Sequence, residues 1–169
     1  MKIDKMIEKL IKKTVYVVDP LPEKVSKKSR GQFLEIENFW HESGEAKKIC
    51  RKFERIILKL YCYYDIEIKF KGTCTKNPSP KNLQTWIRKC VSGKKDFINI
   101  LLNDGEAMII LNEDDVILSV YNPDETLLSL LEKLAAAEGL FVRKIWDVDR
   151  KSTRLNSSHG EQSRMPSSA

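Results

Sequence analysis

Glycine and histidine are scarce in this chain: its 169 residues include seven glycines and two histidines. With so little glycine there is no Gly-x-Gly-x-x-Gly, no phosphate loop and no Gly-x-Ser-x-Gly. The backbone cradles of nucleotide enzymes and the strained serine turn of a hydrolase are therefore missing. The two histidines are His41 and His159. His41-Glu42-Ser43-Gly44-Glu45 imitates the His-Glu-x-x-His of zinc proteases, but Glu45 stands where the second ligand belongs and Gly44 interrupts the turn. No metal site is expected there. Cys50, Cys62, Cys74 and Cys90 lie 12, 12 and 16 positions apart with no Cys-x-x-Cys pair. They read as small buried or half-buried residues rather than zinc ligands. A Cys-His nucleophile would have to draw on His41, and nothing local activates any of the four thiols. No apolar run approaches the ~18 residues that span a bilayer. The expectation is a non-enzymatic, cytoplasmic protein with reduced thiols, no cofactor, no metal and no membrane partner.

Periodic apolar patterning is abundant. Ile3, Met6, Ile7, Leu10 and Ile11 recur at helical spacing among lysines, a short amphipathic helix. Thr14 to Val18 is β-branched and aromatic, apolar on both faces, and reads as a buried strand ended by Asp19-Pro20-Leu21-Pro22. Lys24 to Arg30 is a basic loop closed by Gly31, and Gln32 to Trp40 is ambiguous between helix and strand. Glu45 to Tyr64 carries one broad apolar stripe and is the clearest helix. Ile66, Ile68 and Phe70 alternate with charges, a half-buried strand. Ser79-Pro80 opens a helix that buries Leu83, Trp86, Ile87 and Cys90 and stops near Gly93.

Phe97 to Leu102, Asp104-Gly105 and Ala107 to Leu111 form a hairpin, and a second turn, Asn112 to Asp115, leads into Val116 to Tyr121. Asn122-Pro123-Asp124-Glu125 starts a helix ended by Gly139, and Leu140 to Trp146 is a last strand. The pattern predicts a single α+β domain over residues 1–148. Its sheet is mostly antiparallel and includes a three-strand meander, with about four helices packed mainly on one face.

Two surfaces stand out for binding. Lys47, Lys48, Arg51, Lys52, Arg55 and Lys59 crowd the solvated side of the clearest helix over about 18 Å, a candidate anion-contact face. No RNP-type aromatic motif accompanies them. Phe33, Phe39, Trp40 and Tyr63 form a candidate protein-contact surface, since exposed aromatics anchor interfaces. Asp104, Glu106, Glu113, Asp114 and Asp115 gather near two turns, but their spacing is not that of an EF-hand loop. The leading expectation is a protein-binding or regulatory module, for example an immunity-type inhibitor. The alternative is an RNA- or DNA-binding module using the basic face, and a weaker one is an enzyme completed by a partner. The oligomeric state is open at this point.

Two resemblances refine this reading. Thr14-Val15-Tyr16-Val17-Val18-Asp19-x-Leu21-Pro22, followed by Gly31-Gln32-Phe33, resembles the start of a group of small uncharacterised bacterial proteins. Tyr121-Asn122-Pro123-Asp124-Glu125 and Glu138-Gly139-Leu140-Phe141-Val142 resemble that group's closing helix and strand. These motifs are turn and cap chemistry, so the resemblance implies a fold and no activity. Ser26 stands where members of the group tend to have proline. Residues 149–169, from Asp149-Arg150-Lys151-Ser152-Thr153-Arg154 onward, resemble a translated sequencing-library adaptor rather than native protein. That tail holds four of the 30 basic and two of the 24 acidic residues. Setting it aside leaves 26 against 22, too small an excess to signal nucleic-acid binding by itself.

Overall fold

The computed structural model describes residues 2–29, 31–92, 96–112 and 116–147. Arg30, Gly93, the acids Glu113, Asp114 and Asp115, and the chain from Val148 onward lie outside these residues. The elements run α1 (Lys2–Leu10), β1 (Val15–Asp19), α2 (Gln32–Ser43), α3 (Glu45–Leu60), β2 (Ile66–Phe70) and β3 (Thr73–Lys76). They continue with α4 (Pro80–Ser92), β4 (Phe97–Leu102), β5 (Ala107–Asn112), β6 (Leu118–Tyr121), α5 (Glu125–Ala137) and β7 (Phe141–Trp146).

One seven-stranded sheet takes the order β3-β2-β4-β5-β6-β1-β7, and every neighbouring pair is antiparallel. The expected meander is β4-β5-β6. Its first turn is a short 3₁₀ segment in which Asn103, Asp104 and Gly105 all take positive φ, the conformation that favours Asn, Asp and Gly there. β3 was not anticipated: it is short, polar and mostly exposed, pairing back on β2 through the Lys71-Gly72 turn.

The sheet is covered on both faces, unequally. α3, α4 and α5 bury their stripes on one side, where Phe53, Ile57, Leu83, Ile87 and Leu131 meet Ile68, Ile100, Ile109 and Val120. On the other side α1 sets Ile3 and Leu10 against Val15, Leu101, Met108, Ile110 and Tyr121. That second layer explains why β1 is apolar on both faces: Val18 belongs to the first cluster and Val15 to the second.

Both expected helix starts are capped, the second by Asp124 rather than by Asn122 ahead of the proline. The Asp124 carboxylate accepts from the Leu127 N–H at 2.7 Å, and the Ser79 hydroxyl accepts from the Asn82 N–H at 3.2 Å. The clearest helix is four residues shorter than expected, with Tyr61 to Tyr64 in turns after Leu60. The ambiguous Gln32–Trp40 segment is helical and extends to Ser43.

Candidate interaction surface

α2 is suspended between two glycines, Gly31 and Gly44, both at positive φ. It packs against α3 and places a single residue, Glu37, below the surface. Its inner side also carries Phe33 and Trp40, both half-buried, and Trp40 packs on the main core. Its remaining large apolar residues face water: Leu34 is 53% exposed, Ile36 47% and Phe39 61%. A helix that buries so little while displaying three large apolar side chains is not accounted for by the core.

The four expected protein-contact residues are thus divided. Phe39 points outward, Phe33 is half-buried, Trp40 packs on the core, and Tyr63 is 67% exposed in the turn after α3. Leu34 and Ile36 were overlooked. The signal was available: apolar residues at 33, 34, 36, 39 and 40 point around most of a helix, so one buried stripe cannot hold them all.

The basic face of α3 is partly committed to structure. The Arg55 guanidinium donates to both carboxylate oxygens of Glu138 at 2.6–3.0 Å, and the Lys59 ammonium approaches the same carboxylate at 3.5 Å. These contacts hold α3 to the end of α5. Lys48 pairs with Glu45 of its own helix at 2.9 Å. Lys47 and Arg51 are exposed and Lys52 is half-buried; none of the three enters an ion pair among the described residues. On the opposite flank, Glu54 is buried and takes hydrogen bonds from Arg88 and Gln84 of α4. Burial raises the pKa of the Glu54 carboxyl, but the bonds from Arg88 and Gln84 outweigh it and hold the group below its usual range.

Among the described residues no group of three or more His, Cys, Asp or Glu can hold a metal ion. His41 is exposed. Asp104 pairs with Lys76 at 2.7 Å, while Glu106 lines a shallow recess of about 240 Å³ with Tyr64, Asn122 and Asp124. Cys50 and Cys90 are buried as expected; Cys62 and Cys74 are exposed, because one follows the end of α3 and the other sits on the sheet's edge strand. No helix among the described residues is long and apolar enough to cross a membrane. Compared with family models, curated proteins and solved structures, the chain matches none.

Proposed function

We propose that this chain is a protein-binding module that makes contact through the outer side of α2. One observation carries the reading: α2 reaches the core through Trp40 yet holds Ile36 and Phe39 side by side in water, with Leu34 exposed on its other flank. Aromatic and aliphatic anchors displayed on a short, regular element are the usual centre of a protein interface. The rival reading, nucleic-acid binding by the α3 face, has less in its favour. Lys48, Arg55 and Lys59 already have carboxylate partners, which leaves Lys47, Arg51 and Lys52.

The test is site-specific photo-cross-linking in cells that produce the chain. A benzophenone side chain in place of Phe39 is expected to give a protein adduct on irradiation. The same group in place of exposed Glu132 on α5 is expected to give none. Adding Ile36→Asp should remove the adduct at position 39. Equal adducts at both positions, or none at 39, would overturn the reading.

A further inference from the structure

The charged side chains that α2 itself sets around Phe39 are of one sign. α2 contains no lysine or arginine and three glutamates, Glu35, Glu37 and Glu42. Residues three and four apart share a helix face, so exposed Ile36, Glu35 and Glu42 surround Phe39. Beyond Gly44 in the chain, the solvated side of α3 offers Lys47 and Arg51, exposed and outside the described ion pairs. Apolar, acidic and basic side chains are thus all exposed on two consecutive helices that pack together.

A two-fold interface uses one patch twice, so that residue i meets j while j meets i. A patch that is acidic on one side and basic on the other satisfies that condition when rotated onto itself. A patch of one sign does not. We propose that two copies of this chain associate about a two-fold axis through α2. Phe39 and Ile36 of each copy meet their counterparts near the axis, and Glu35 and Glu42 of one reach Lys47 and Arg51 of the other. This inference rests on α2 being the contact surface and names the partner as a second copy, since both halves of the required complement are present in the chain itself.

Sedimentation equilibrium on the full chain tests it. The wild type is expected to be a dimer. Phe39→Asp is expected to be monomeric and still to unfold cooperatively, because the side chain is already 61% exposed in the single chain; its thermal midpoint should fall only by what the dimer contributes. Glu42→Arg and Arg51→Glu, each alone, set like charges across the axis and should raise the dissociation constant by roughly tenfold or more. Mixed in equal amounts, these two variants should recover a dimer, since both cross-axis pairs are then opposite in sign. A monomeric wild type, a dimer indifferent to Phe39→Asp, or a mixture that fails to recover would each overturn the proposal. A monomer that still cross-links from position 39 to a different protein would reject the second copy alone. A monomer with no adduct would reject the α2 surface as well.

Discussion

Glu138 illustrates how a single side chain can decide what its neighbours are for. Its carboxyl is held below the usual carboxylate range mainly by the hydrogen bonds from Arg55, which outweigh the opposing effect of burial; the charges of Arg55 and Lys59 add to it. A carboxyl with a lowered folded-state pKa stabilises the protein fully above its unfolded pKa, about 4.3. That contribution is lost as the pH falls through the folded value. Glu138→Gln should therefore lower the denaturant midpoint at neutral pH. The gap to the wild type should close on acidification through the carboxylate range, as read by urea unfolding at several pH values. The effect is modest because Arg55 is half exposed to water. A gap that persisted in acid would mean that Glu138 acts through packing instead. Nothing in the sequence marked Glu138 as this tie point, since 83 positions separate it from Arg55. Lysines and arginines on a helix look alike until their partners are in place.

The elements differ in how openly the sequence declares them. α5 is announced by Asn122-Pro123-Asp124-Glu125, and the cap forms at Asp124. Asp124→Ala removes the acceptor for the Leu127 N–H and should cost about 1 kcal/mol, read from chemical denaturation. Asp124→Asn should recover most of it, because the amide oxygen can accept the same bond. α3 was legible through a stripe from Ala46 to Leu60, but the stripe ran on into Tyr61 and Tyr64. Both continue the apolar phase while the backbone turns away, so its end was misjudged. β3 gave no signal because Thr73 to Lys76 is neither apolar nor clearly alternating, and an edge strand needs no buried face. α2 was ambiguous for the same reason that it is interesting: its apolar residues follow no single stripe, since part of them serve the core and part do not.

Across the whole molecule, the α+β class and the antiparallel meander were legible because burial imposes periodicity on sequence. The second layer was hinted at only by the two-sided apolarity of β1. The main core is the more consequential of the two clusters. Phe53 is completely buried between the helices and the sheet, so Phe53→Ala should cost about 3–5 kcal/mol, measured by equilibrium unfolding. A loss below 1 kcal/mol would mean that the core is packed otherwise. The strand order also fixes a sequence of events. β1 lies between β6 and β7, both of which come roughly a hundred residues later, so its pairing carries a high contact order. The surface that receives α1 is likewise built from later strands, β4 and β5. On a ribosome, Val-Tyr-Val-Val would emerge well ahead of both strands that it pairs with. Assembly is expected to start from the local β4-β5-β6 meander and the helices beside it, with β1 and α1 inserted late. Until then the growing chain carries an unpaired, two-sided apolar strand, the kind of segment that chaperones shield.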